Sequence, residues 1–184
     1  MVEKQEIRQV MMQKRAELTS DENLDLAQTL KAYINETPHI FKDKTIALFS
    51  PIRNEINVTQ LYEDLEPLAS AVALPCITPL QEMVFNLWDG LHYIPDAMKI
   101  PTGKGEEVIP DVIFVPFLAF NRQGHRLGYG RGFYDKTLAL LPSVRSIGVG
   151  FSWQENQDFP FEHHDIPLNE IWTEKERIYA SKNK

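Results

Sequence analysis

Val112-Ile113-Phe114-Val115-Pro116 is the most strand-like run in the chain, and the segments behind it decide the fold. Next comes Asn121-Arg122-Gln123-Gly124-His125-Arg126-Leu127-Gly128-Tyr129-Gly130-Arg131-Gly132-Phe133-Tyr134-Asp135-Lys136, which opens a short helix over 133–141 closed by Pro142. Ser146-Ile147-Gly148-Val149-Gly150-Phe151 follows as a second strand. Strand, loop, helix and strand in that order is the unit of a parallel sheet.

The same alternation extends outward. Thr45-Ile46-Ala47-Leu48-Phe49 is a short apolar run ended by Ser50-Pro51 and reads as a buried strand. Asn57 caps a helix through about Leu65, with Val58, Leu61, Tyr62 and Leu65 facing inward. Ala71-Val72-Ala73-Leu74-Pro75 is another strand. Met83-Val84-Phe85-Asn86-Leu87-Trp88 is a further one with one face exposed, and Glu170-Ile171-Trp172-Thr173 is the last. Gly90 to Pro110 is a long irregular stretch that holds Pro95, Pro101, Gly103, Gly105 and Pro110. Loops of that length are often functional, and a flexible flap is the plainer alternative. The first third is helical. Ile7, Val10, Met11 and Leu18 form one stripe, with Lys4, Arg8, Lys14 and Arg15 at polar positions. Thr19 to Glu22 is a capping box that opens a second helix, with a stripe of Leu24, Ala27, Leu30 or Lys31, and Ile34. The pattern predicts a single domain over 1–184, three-layer α/β/α with a largely parallel sheet.

Composition narrows the function. The chain has 184 residues, 43% hydrophobic and 24% charged, with one cysteine, Cys76. No intramolecular disulfide can form, which fits a reducing compartment and predicts a cytoplasmic protein. Nineteen basic against twenty-six acidic side chains give a formal net charge of −7. That field repels phosphate at long range and excludes a general nucleic-acid binder, while leaving room for a local basic pocket. No apolar stretch approaches the ~20 residues of a membrane span.

The chemistry concentrates in the glycine-rich loop. Gly128, Gly130 and Gly132 let backbone amides turn toward one point at a helix N-terminus, where the dipole also favours an anion. Arg122, Arg126, Arg131 and Lys136 add four cations, and a polyphosphate would compensate them. A glycine-rich turn with solvated arginines is the alternative. The loop is not a Walker A motif, and its third glycine falls one residue early for the dinucleotide fingerprint. Asp135 is placed to hold Mg²⁺ against phosphate oxygens. Lys4 and Arg8, one helical turn apart, either clamp the same anion or lie on a solvated helix surface. His163-His164-Asp165 lacks the partners of a transition-metal site, leaving Asp165 as a second Mg²⁺ carboxylate, direct or through water. Cys76 has no base partner and reads as a buried apolar residue, and no Gly-x-Ser-x-Gly elbow occurs.

These residues resemble a known family. Arg126-Leu127-Gly128-Tyr129-Gly130-Arg131-Gly132-Phe133-Tyr134-Asp135-Lys136 is similar to the signature of the 5-formyltetrahydrofolate cyclo-ligases. Lys4 and Arg8 match the family's opening Lys-x-x-x-Arg helix, and Ser50-Pro51-Ile52-Arg53-Asn54-Glu55-Ile56 its strand end and glutamate. Leu74-Pro75, Met83-Val84-Phe85, Pro110-Asp111-Val112 and Asp165-Ile166-Pro167-Leu168 follow in the same order. The resemblance implies a fold like that of the sugar-phosphate isomerase and CoA-transferase group. It also implies an ATP- and Mg²⁺-dependent conversion of 5-formyltetrahydrofolate to 5,10-methenyltetrahydrofolate, by phosphorylation of the formyl oxygen and attack by N10.

Carried over by position, Lys4, Arg8 and each residue from Arg126 to Tyr134 would bind ATP. Ser50, Glu55 and the turn Tyr129-Gly130-Arg131-Gly132-Phe133 would meet folate. Asp135 and Asp165 would serve Mg²⁺, and Arg131, Tyr134 and Lys136 would act in catalysis. The chain departs from the pattern at Ile100 (often Glu or Gln), near Asp96 (often an aromatic), at Lys136 (usually Arg) and at Asn169 (often Asp). The first two fall on the folate side. The expected state is a monomer or weak homodimer. The alternatives are a non-catalytic family member that binds nucleotide or folate, and a sugar-phosphate or CoA enzyme of the same fold.

Overall fold

A computed structural model describes residues 4–162 and 165–180. The adjacent histidines at 163 and 164 lie outside the described residues. In chain order the elements are α1 (Lys4–Ala16), α2 (Ser20–Glu36), β1 (Thr45–Ala47), α3 (Tyr62–Leu65), β2 (Ala71–Ile77), β3 (Met83–Leu87), β4 (Ile94–Pro95), β5 (Pro101–Thr102), β6 (Val112–Pro116), β7 (Ala119–Phe120), β8 (Arg126–Leu127), α4 (Phe133–Leu140), β9 (Arg145–Val149), β10 (Glu170–Trp172) and β11 (Arg177–Tyr179). No helix among the described residues is long and apolar enough to cross a membrane.

Seven strands make one sheet in the order β11-β10-β9-β6-β1-β2-β3. The five central strands are parallel, with Ile46 paired to Val112 and Phe114 to Ile147. β3 and β11 close the two edges antiparallel. Alternate residues face opposite sides, which divides the apolar residues into two cores. Ile46, Val112, Phe114, Ile147 and Trp172 pack with Leu26, Leu30 and Ile34 of α2 and with Leu61 and Leu65. Ala47, Ile113, Val115 and Ile171 face the other way, onto Leu138 of α4, Phe117 and Leu168. Each fully buried Leu or Ile contributes about 1.5–3 kcal/mol. The three-layer α/β/α expectation therefore holds.

The helix stripes need two corrections. On α1 the buried row is Ile7, Met11 and Arg15, while Val10 is exposed. The helix lies over the β7–β8 hairpin, against Leu118, Ala119, Leu127 and Phe159, and a contact that narrow takes a single i, i+4, i+8 row. On α2 the row is Leu26, Ala27, Leu30 and Ile34, and Leu24 is exposed. Lys31 pairs with Asp64 at 3.1 Å. The Thr19–Glu22 capping box forms as expected. The helix expected after Asn57 begins as a 3-10 turn, Val58–Leu61, with Asn57 Oδ1 accepting from the Thr59 amide. The long stretch after β3 doubles back along that strand, with Gly105 N bonded to Leu87 O and Val108 N to Phe85 O. A Cβ at Gly103 would lie 2.2 Å from Leu87 O, so a glycine is required there.

The order of connections creates the site. The chain leaves β1 over the α2 face, through Val58, Leu61 and Leu65, to reach β2. It later returns to the other side of β1 as β6, and leaves β6 over the opposite face through α4. Between β1 and β6 the two connections diverge, which opens a crevice beyond the strands' carboxyl ends.

Candidate active site

A cleft of about 860 Å³ fills that crevice. Its floor is Phe49 and Ser50 after β1, Pro75 and Ile77 of β2, and Pro116 at the end of β6. Lys4 and Arg8 of α1, the 126–136 loop, Glu55, Asp96, Ile100 and Asp165 form its walls, so every residue that the resemblance assigns to ATP, folate or Mg²⁺ lines one cavity.

The β7–β8 hairpin delivers the chain to the glycine-rich turn. Gly130 and Gly132 have φ of +92° and +70°, the left-handed region that other residues enter at a cost. A Cβ at Gly128 or Gly132 would meet nothing within 4 Å, so this backbone faces open space. α4 then starts at Phe133 with Gly132 as its N-cap and no side-chain cap, leaving amides for an outside acceptor.

The charges are distributed otherwise than the four-cation loop suggests. Arg122 turns away from the cleft and pairs with Glu155 at 2.9 Å and Glu176 at 2.6 Å. Arg126 is buried, and a buried guanidinium is stable only with matched acceptors. It donates to Asp135 Oδ1 at 2.8 Å and to the Ile166 carbonyl at 2.9 Å. Arg131 and Lys136 have no carboxylate partner among the described residues, so they carry the loop's uncompensated charge into the cleft. Arg8 donates from Nε to the Gly128 carbonyl at 2.9 Å and steadies the turn. Lys4 bridges Glu162 and Asp165, each at 3.2 Å.

Across the cleft, Glu55 is buried beneath the loop after β1. Its Oε2 accepts from the Ile52 amide at 3.0 Å, and its Oε1 from Arg15 at 3.4 Å. Burial pushes the Glu55 carboxyl up, against the opposing pull of the Ile52 N–H, Arg15 and Tyr129. Burial also drives the Tyr129 phenol up to about 12, and the Tyr134 phenol above its usual range, so both are neutral hydrogen-bonding groups. The Ser50 hydroxyl donates to the Pro101 carbonyl, which leaves its oxygen as an acceptor toward the cleft. Asp96 accepts from the amides of Ile77, Met98 and Ile100 at 2.8–2.9 Å and shapes the loop that carries Ile100.

Arg15, a polar position in the sequence pattern, is buried at the end of the α1 row. The available signal was the spacing Ile7, Met11, Arg15. For metal, no group of three or more His, Cys, Asp or Glu forms among the described residues. Asp135 has Oδ1 committed to Arg126, while Oδ2 carries no hydrogen bond among the described residues. Asp165 Oδ2 already accepts from Lys4 and from the Glu162 amide at 2.9 Å. Cys76 is half-buried, and burial raises its thiol, in keeping with an inert residue.

This arrangement has counterparts. The sequence pattern of the 5-formyltetrahydrofolate cyclo-ligase family matches residues 1–174. The chain belongs to that family. A 5-formyltetrahydrofolate cyclo-ligase of Haemophilus influenzae is 31% identical over 182 residues, covering 91% of this chain and 96% of the relative. One from Mycoplasma genitalium is 33% identical over 162 residues, covering 84% and 88%. Among solved structures, the 5,10-methenyltetrahydrofolate synthetase of Aquifex aeolicus superposes with a TM-score of 0.83 at 29% identity, covering 98% of this chain and 94% of that one. Family membership and this superposition agree with the sheet described above. They also set aside the sugar-phosphate and CoA reading, which rested on fold alone.

Proposed function

We propose that this chain is a 5-formyltetrahydrofolate cyclo-ligase, converting 5-formyltetrahydrofolate and ATP to 5,10-methenyltetrahydrofolate, ADP and phosphate. The observation that carries the reading is the uncapped, glycine-lined start of α4, with Arg131 and Lys136 free of carboxylate partners among the described residues, facing Glu55 across one cleft. An anion site and a carboxylate acceptor thus line the same cleft.

The N5-formyl group is an amide, and its carbonyl resists attack by N10. Transfer of the γ-phosphoryl group to the formyl oxygen breaks the γ-phosphorus to bridging-oxygen bond and gives an iminium phosphate. N10 of the same molecule then adds to the formyl carbon and loses its proton. Departure of phosphate leaves the methenyl cation. No protein nucleophile is required, so alignment and charge neutralisation are the protein's work. Arg131 and Lys136 neutralise the moving phosphoryl group, and the turn amides from Gly128 to Phe133 hold its oxygens. Tyr134, kept neutral, donates a hydrogen bond in the same region. Lys4, Arg8 and Arg126 to Tyr134 form the ATP side, Arg126 by holding Asp135 and the loop in place. Ser50 and Glu55 offer acceptors to the pterin N–H groups, and the turn 129–133 touches folate where the phosphate passes.

Mg²⁺ fits one place best, the Oδ2 face of Asp135, since the ion commonly takes one or two carboxylates together with phosphate oxygens. Asp165 is the second carboxylate in reach of the same cleft. Bound there, the ion would neutralise charge on the β- and γ-phosphates. The inferred compartment is the cytoplasm and the inferred state a monomer or weak homodimer. The test is direct. Purified protein with 5-formyltetrahydrofolate, ATP and Mg²⁺ should generate the methenyl chromophore and ADP in equal amounts. ATP turnover with no methenyl product would overturn the reading.

A further inference from the structure

The buried end of α1 carries a cation to which the chemistry above gives no role. Arg15 is 2% exposed. Its Nη2 donates to the Phe117 carbonyl at 2.5 Å, and its Nη1 to the Tyr129 hydroxyl at 2.7 Å and to Glu55 Oε1 at 3.4 Å. Its own carbonyl accepts from Asn54 Nδ2 at 2.7 Å. These partners belong to the loop after β1, the chain just past β6, and the glycine-rich turn. One planar fork therefore spans both sides of the crevice, a geometry that lysine cannot reproduce.

We propose that Arg15 is the positioning residue of the folate pocket: its guanidinium fixes the Glu55 carboxyl against Tyr129, so that a reduced pterin meets a preset acceptor. This rests on the cyclo-ligase reading. The groups facing Glu55 are Arg15 from α1, Tyr129 from the glycine-rich turn, Tyr134 from α4 and the Ile52 amide. Arg53 lies over the Tyr129 ring at 5.2 Å. Burial favours the neutral acid at Glu55, and the Arg15 charge opposes it. Without that charge only the Ile52 N–H and Tyr129 oppose burial, so the neutral acid persists to higher pH and the second acceptor face returns only as pH rises.

The test compares KM for 5-formyltetrahydrofolate and for ATP from about pH 6 to 9 in wild type, Arg15→Met, Arg15→Lys and Arg15→Met/Glu55→Gln. Arg15→Met should raise the folate KM about tenfold or more at neutral pH. That deficit should shrink as pH rises, with the ATP KM nearly constant. The double variant should lose the pH trend. Should Arg15→Met fail to fold, Arg15→Lys decides: a raised folate KM with an unchanged ATP KM supports the proposal. An equal rise in both KM values, or a folate deficit in Arg15→Met without pH trend, overturns it. A wild type that forms no methenyl product overturns the cyclo-ligase reading as well, whereas with an active wild type the same failures count against Arg15 alone.

Discussion

Arg126 Nη2 lies 2.8 Å from Asp135 Oδ1, so a buried guanidinium holds one oxygen of the carboxylate expected to meet Mg²⁺. The side chains are 4% and 29% exposed, which makes the pair partly structural and leaves the second oxygen for a ligand.

Asp135→Asn should therefore lower stability as well as activity. Removing one partner of a largely buried pair costs about 1–3 kcal/mol after allowance for the exposure of Asp135. Urea unfolding of Asp135→Asn, Arg126→Met and the double variant measures the coupling. The double variant should recover part of the stability and none of the Mg²⁺-dependent turnover. Wild-type activity with an unchanged Mg²⁺ titration in Asp135→Asn would place the metal elsewhere.

Arg131 and Lys136 are the opposite case. Their charges have no carboxylate partner among the described residues, so alanine at either position should change stability by less than about 0.5 kcal/mol. ATP affinity should fall about 10–100-fold while folate affinity changes little. Calorimetry with each ligand separates the two, and equal losses would contradict the assignment.

The glycines divide into two kinds. Gly132→Ala must enter the left-handed region and should cost about 1–2 kcal/mol. Gly128 has ordinary backbone and open space around its Cβ position, so Gly128→Ala should melt like wild type. If the turn closes on phosphate, the added methyl group should still impair ATP binding. Normal ATP binding in a normally folded Gly128→Ala would remove that residue from the contact surface.

Glu55→Gln tests the other wall. It keeps the shape and turns one acceptor oxygen into a donor facing Arg15 and the Ile52 amide. Folate affinity should fall by about 1.5–3 kcal/mol, the value of a charged hydrogen bond, with nucleotide affinity nearly unchanged. Normal binding of 5-formyltetrahydrofolate would make Glu55 structural.

The tyrosines set an alkaline limit. Tyr129 ionises near 12 in the folded chain, and Tyr134 is also raised, against about 10 when unfolded. The folded state then holds protons that the unfolded state has lost. Stability from this source is full below about pH 10 and declines as pH climbs toward about 12. Urea midpoints across that range should fall, less steeply in Tyr129→Phe.

Much of this was legible in the chain. Unbroken apolar runs such as Val112 to Pro116 mark strands because both faces of a central parallel strand are buried. The glycine spacing and the cations around it marked the anion side. What escaped depends on tertiary contact. Arg15 looks solvated until the strand ends supply acceptors. Arg122 and Arg126 look like ligand contacts until Glu155, Glu176 and Asp135 are brought beside them. β11 has three residues and one buried apolar side chain, Ile178, too little pattern for a strand.

The seating of α1 on the β7–β8 hairpin also has a consequence for biosynthesis. Ile7 and Met11 are made early, yet they bury against Leu118, Leu127 and Phe159, which leave the ribosome more than a hundred residues later. At about 5–20 residues per second the helix waits roughly 6–24 s with that row uncovered. Lys4, Arg8 and Arg15 travel on the same helix, so a nascent chain stopped before the hairpin has no assembled active site.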